Sequence, residues 1–256
     1  MKALWNSLKI AFAMFSRIPT PRADWSKENM KYMFCFFPLI GAVIGVLEYL
    51  LVLLAGRFSF APGFLGALML LVPVLVTGGI HIDGLLDTSD AMSSWQERER
   101  RLEILKDSHA GAFAIIACSS YFIAFYGACV QLCTSRRATG VFCLVFVLAR
   151  CLSGFGVLTL PKASAKGTVA EFSRNAEEKP VRIAVVVIAV LSVIGMIYIQ
   201  PVMGIVTAVC AALVFLFYRH MALKYFGGTS GDLSGFFLCT CETAAALVLA
   251  VCTAIL

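Results

Sequence analysis

Apolar residues run along this chain in long blocks, separated by polar stretches that hold almost all of its charge. Seven such blocks, at roughly 35–56, 62–80, 111–133, 139–160, 181–199, 202–218 and 235–256, approach or exceed the ~18 residues a helix needs to cross a bilayer. The pattern predicts an all-α fold: a polytopic membrane helix bundle of about seven transmembrane helices, forming a single domain over residues 1–256. The N-terminal run LKIAFAMF is too short to span, is followed by Arg17 and lacks a small-residue cleavage site. It predicts an amphipathic interfacial helix rather than a secretory signal. RFSFAPG and YIQPVMG are tight turns between neighbouring spans, and the polar stretches are 1–34, 81–110, 161–180 and 219–234. No internal repeat or low-complexity segment is visible.

Composition sharpens this reading. The chain is 60% hydrophobic and only 14% charged, with a mean hydropathy of +0.89, against roughly 25% charged in soluble domains. Ten cysteines are present without a CxxC pair. Most fall inside predicted spans, where cysteine acts as a small apolar residue rather than a metal ligand or disulfide partner. The net charge of +6 suits anionic lipid or phosphorylated substrates and is too dispersed for nucleic acid. With the N-terminus inside, 17 Lys and Arg fall on the cytoplasmic segments and three, Arg57, Arg136 and Arg137, on the other side. The positive-inside rule then favours N-in, C-out in a bacterial or archaeal cytoplasmic membrane. Every long polar segment lands on the cytoplasmic face, which suits an enzyme whose site opens to the cytosol.

HIDGLLDTSD, residues 81–90, places Asp83, Asp87 and Asp90 at i, i+4 and i+7, within about 60° of arc on a helix. Three carboxylates on one face repel one another, and a hard divalent cation relieves that repulsion. Mg²⁺, Mn²⁺ or Ca²⁺ suit carboxylate oxygens, and Mg²⁺ bridges a few of them to substrate phosphates. A solvated acidic loop is the plainer alternative. His81, two residues before Asp83, is a base, a ligand or a helix-end residue.

Two further polar stretches carry candidate chemistry. ERERRLEILKDSHAGAF puts Glu103 and Asp107 on one helical face beside Lys106, Ser108 and His109. Its Arg98, Arg100, Arg101 and Lys106 suit phosphates, or the run is a solvated charged helix with i, i+4 pairs. YFGGTSGDLSGF supplies Gly228 and Gly231, with Asp232 leading into the last span. Exposed backbone N–H groups at a helix start favour phosphate, although Asp232 also reads as a plain N-cap. Glu242, ten residues on, is an acidic group at membrane depth, which is functional by default. Arg150 is its natural counter-charge or a phosphate ligand, and a purely structural pair remains open. Glu48 is read as structural. Together these pieces suggest transfer of a phospho-group at a membrane face.

Four stretches resemble the cobalamin synthase family: FAMFSRIPTP (12–21) with FPLIGAVIG (37–45), TGGIHIDGLLDTSDAM (77–92), RRLEILKDSHAGAFA (100–114), and GGTSGDLSGF with Glu242. The resemblance implies a Mg²⁺-dependent membrane enzyme joining adenosylcobinamide-GDP to α-ribazole or its 5′-phosphate with release of GMP, the last assembly step of vitamin B12. It implies Asp83, Asp87 and Asp90 as the metal and diphosphate site, with Asp232 and Glu242 as a C-terminal acidic pair. It implies Glu103, Lys106, Asp107 and Ser108 as a second motif; the residue pattern itself adds His109, Arg150, Gly228 and Gly231 as candidates for binding substrate and phosphate. Asp87, Asp90 and His81 stay open as catalytic base, and a homo-oligomer stays open too. LPKASAKGTVAEF, with Lys166–Gly167, matches the family's glycine- and arginine-rich segment only loosely. The runner-up is a CDP-alcohol phosphotransferase, whose D-x2-D-G-x2-A-R pattern differs from the D-x3-D-x2-D found here. A cation-coupled transporter would scatter polar groups along its spans and over both faces.

Overall fold

The computed structural model describes residues 2–107, 109–164 and 167–256. Six helices are long and apolar enough to cross a membrane: α3 (Met33–Phe58), α7 (Ala112–Leu132), α8 (Arg136–Thr159), α10 (Glu178–Ile199), α11 (Pro201–Met221) with its π-helical extension Ala222–Phe226, and α12 (Gly231–Ile255). The short helices are α1 (Lys2–Phe15), α2 (Lys27–Met30), α6 (Arg98–Ile104) and α9 (Thr168–Asn175).

The span expected at 62–80 is the first member of a broken pair. α4 (Pro62–Thr77) ends early, and α5 (Ile80–Ser93) leaves it at 92°. Gly78 and Gly79 make the corner, with φ of 67° and 80°. Two successive left-handed residues stop a helix, and only glycine adopts that conformation without steric cost. The Arg17 backbone N–H donates to the Val76 carbonyl at 2.8 Å, which uses an acceptor orphaned by the helix end. α5 lies alongside α12 in the opposite sense, with His81 against Gly235 and Gly84 against Asp232.

α8 is the buried centre, and α3 lies hard against it. Gly41 and Gly45 face the α8 backbone, where a Cβ on Gly45 would meet the Cys143 carbonyl oxygen at 2.5 Å. This spacing of small residues brings membrane helices into close contact, where dispersion replaces the hydrophobic effect. Phe125, Phe142 and Phe146 fill the space between α7 and α8. The outward faces of α10 and α11 carry Leu191, Ile194, Leu213 and Leu216, all exposed, as lipid contact requires.

The polar segments gather at one end of the bundle. Backbone hydrogen bonds join Arg17 to Val76, Glu177 to Lys31, Thr229 to Pro161 and Ala163 to Thr229. The opposite end has only short turns between α3 and α4, α7 and α8, and α10 and α11.

Candidate active site

Two helices set the site. α5 crosses α12 where neither has a side chain: a Cβ on Gly84 would meet the Asp232 backbone, and one on Gly235 would meet the His81 carbonyl oxygen at 3.0 Å. This contact carries Asp83 and Asp87, on α5, up to Asp232 in the first turn of α12. Ser230 caps α12 by accepting the Leu233 N–H at 3.2 Å, leaving Asp232 free of that duty. Ser230 is held in a loop anchored by the Tyr218, Thr229 and Ser234 hydroxyls.

The carboxylates repel as their spacing demands. Partial burial, then the charges of Asp83, Asp232, Asp90 and Asp107, push the Asp87 carboxyl up to about 7. Asp90 sits differently from its neighbours. Its oxygens accept the Gly111 N–H and, at 2.8 Å, the Ala114 N–H, so Asp90 caps α7 from another helix.

Two cavities meet at Asp232. One, of about 260 Å³, is lined by Phe15, Phe34, Phe37 and Phe172 on its apolar side and by Asp83, Asp232 and His81 on the other. The second, of about 370 Å³, is lined by Lys106, Ser164, Thr229, Ser230 and Asp232 together with Leu102 and Leu105. Val169, Gly231 and Asp232 form the wall between them.

The other sequence candidates separate. Lys106 reaches the second cavity. Glu103 pairs with Arg100 at 2.6 Å on the exposed side of α6. Asp107 accepts the His109 backbone N–H at 3.0 Å and lies 2.7 Å from its Nδ1, in an exposed loop. That partner holds the Asp107 carboxyl below its usual range. Ser108 and Lys166 lie outside the described residues. Gly228 is packed against the backbone of Pro161 and Lys162, and its N–H donates to Ala222 at 3.0 Å, so it shapes the loop rather than offering a donor. Arg98 presses on Gly227, and Arg101 stacks on Tyr225 at 4.7 Å while donating to the Gln96 carbonyl at 2.7 Å. These arginines fasten α6 to the π-helical turn.

Glu242 and Arg150 form a buried ion pair at 2.8 Å, about 15 Å along α12 from Asp232 at 1.5 Å per residue. The same Arg150 nitrogen donates to the Phe146 carbonyl at 2.9 Å, while its Nε and Nη2 find no partner among the described residues. A gap of about 10 Å³ bounded by Arg150, Glu242, Thr77, Tyr121 and His81 is the size of one water. His81 thus stands between the aspartate cavity and the pair. The aromatic wall was missed by sequence reasoning. Phe15, Phe34 and Phe37 look like ordinary membrane packing, and only the fold turns them towards one space.

A family model described as cobalamin-5-phosphate synthase matches residues 7–250. A Lachnoclostridium phytofermentans protein named adenosylcobinamide-GDP ribazoletransferase is 42% identical, covering 96% of this chain and 94% of the relative. Proteins of the same name from Listeria monocytogenes and Clostridium botulinum are 34% and 29% identical over 90% and 93% of the chain, and 91% and 94% of their own lengths. No solved structure matches the chain.

Proposed function

The chain belongs to the cobalamin-5-phosphate synthase family, and from that premise we propose how its carboxylate junction transfers ribazole onto adenosylcobinamide-GDP. The protein is a multi-pass membrane transferase of cobalamin assembly. The observation carrying the site assignment is the meeting of two cavities at a wall that includes Asp232, with Asp83 and Asp87 beside it. A two-substrate transfer needs such a junction, because attacking and leaving oxygens must approach one phosphorus from opposite sides.

The second cavity suits the nucleoside diphosphate. Lys106 supplies a point charge for phosphate, the hydroxyls of that cavity supply hydrogen bonds, and the start of α12 adds a favourable dipole. A ribose hydroxyl of ribazole bonds to the cobinamide-bearing phosphorus. The bridging P–O bond breaks, GMP leaves with its electron pair, and the hydroxyl proton passes to the surrounding carboxylates.

Mg²⁺ fits this donor set. The ligands on offer are all carboxylate oxygens, and burial, then the neighbouring carboxylates, raise the Asp87 carboxyl above its usual range. Among the described residues no group of three or more His, Cys, Asp or Glu stands close enough to hold a metal ion, so an ion here would need substrate phosphates among its ligands. Asp83, Asp87 and Asp232 would hold it, and it would neutralise the diphosphate and make phosphorus electrophilic. The basic segments at this end of the bundle support a site that faces the cytoplasm.

The test is GMP release and cobalamin formation by purified protein given both substrates and Mg²⁺. Both products are expected together, lost on chelation and restored by Mg²⁺. Full turnover in excess chelator, or in Asp83→Asn and Asp87→Asn, would remove the carboxylate site.

A further inference from the structure

The aromatic cavity has a construction that phosphate chemistry does not explain. Phe37 lies against Phe15 with ring centroids 4.4 Å apart, and Phe34 lies 6.3 Å from Phe15. Phe172 of α9 lines the cavity too and is backed by Trp25 at 6.3 Å. Aromatic walls of this kind gain most from a flat ring system. At about 260 Å³ the space takes a bicyclic base and is far too small for a corrin ring with its side chains.

A small polar side chain stands on its α8 wall. Ser153 lines the cavity and is 1% exposed. A ligand that hydrogen-bonds to its hydroxyl is favoured over an all-carbon one. Towards Asp83 and Asp232 the lining turns acidic, which suits sugar hydroxyls.

We propose that this cavity binds the benzimidazole ring of ribazole between Phe34, Phe37 and Phe172, with the Ser153 hydroxyl bonded to a ring nitrogen and the ribose turned towards Asp232. The proposal rests on the transfer reaction above and adds the place and orientation of its acceptor. Base inside and ribose outside puts the attacking hydroxyl at the wall shared with the diphosphate cavity. Ser153 and the phenylalanines then set which base is accepted.

The experiment measures KM for each substrate separately. Ser153→Ala removes one neutral hydrogen bond and is expected to raise KM for ribazole about fivefold, leaving KM for adenosylcobinamide-GDP and the melting temperature unchanged. Phe172→Ala is expected to raise ribazole KM more than tenfold. In folded wild-type protein with no other substrate, ribazole is expected to change tryptophan fluorescence, and Trp25→Phe is expected to abolish that change. Ribazole KM within twofold of wild type in both cavity variants overturns the subsite. So does an equal rise in both KM values. If Phe172→Ala fails to fold, Ser153→Ala and the fluorescence titration decide. Failure of wild-type protein to release GMP in response to ribazole is a different result, since it overturns the reaction itself.

Discussion

A single methyl at the α5–α12 crossing tests whether backbone contact builds the site. A Cβ on Gly84 would lie 2.5 Å from the Asp232 carbonyl oxygen, 2.9 Å from its Cα and 3.0 Å from its carbonyl carbon. All three are backbone atoms, so no rotamer change relieves the clash. Ordinary contact needs about 3.5 Å, and the helices must part by about an ångström. Overpacking of this size costs about 1–3 kcal/mol. Groups acting together that are misplaced by about 1 Å lose on the order of 10²-fold in rate. Gly84→Ala is therefore expected to remain folded, melt a few degrees lower, and lose about two orders of magnitude in kcat. Gly127→Ala is the control: that glycine lies mid-helix on α7 with nothing within 4 Å of a built Cβ, and both readouts are expected to stay at wild-type values. GMP release followed by chromatography, with thermal unfolding in the same detergent, reads both. Wild-type kcat and melting temperature in Gly84→Ala would refute the claim that this crossing sets the carboxylates.

The buried Arg150–Glu242 pair predicts that Glu242→Gln costs about 3–5 kcal/mol of stability, because it strands a buried charge, and that Arg150→Met with Glu242→Leu restores most of it; unchanged unfolding with lost turnover would instead make Glu242 a chemical participant. Asp90→Ala removes the α7 cap and is expected to cost about 1–2 kcal/mol, with Asp90→Asn falling between; denaturant unfolding checks both. The Asp87 carboxyl, raised to about 7, binds a proton in the folded state that the unfolded chain has lost above about pH 4. Without divalent cation, stability is therefore expected to fall as pH rises from about 4 to 7 and then level off. The fall is on the order of 1 kcal/mol after allowance for solvent screening of a half-exposed group, and Asp87→Asn should flatten it.

The membrane bundle was legible because a span announces itself by length and composition, and six of the blocks became single helices. The seventh misled at its end. Nothing local to Gly78–Gly79 states that both residues turn left-handed and that α5 leaves α4 at 92°. The i, i+4, i+7 spacing brought Asp83, Asp87 and Asp90 to one helix face, yet spacing did not reveal that α7 begins beside Asp90 and takes its oxygens. The arginines of α6 looked free for phosphate because two of their partners, Tyr225 and Gly227, are set by tertiary contact. Phe15, Phe34, Phe37 and Phe172 were invisible as a site because apolar residues in a membrane protein are expected everywhere. Their meaning lies in the one direction they share.

The placement of charge follows from these contacts. Membrane depth tolerates an ionised group when it is paired, and Arg150 with Glu242 meets that condition on α8 and α12, the helices that flank the aromatic cavity. Asp83, Asp87 and Asp232 violate it, yet stand at the bundle end where water and cations reach them. α5 makes this arrangement available. Turned at Gly78–Gly79, α5 packs along the first turns of α12 and brings Asp83 to the cavity that Asp232 also lines. The corner therefore joins a membrane scaffold to a phosphate site, and substitutions at Gly78 or Gly79 should impair turnover although neither residue lines a cavity.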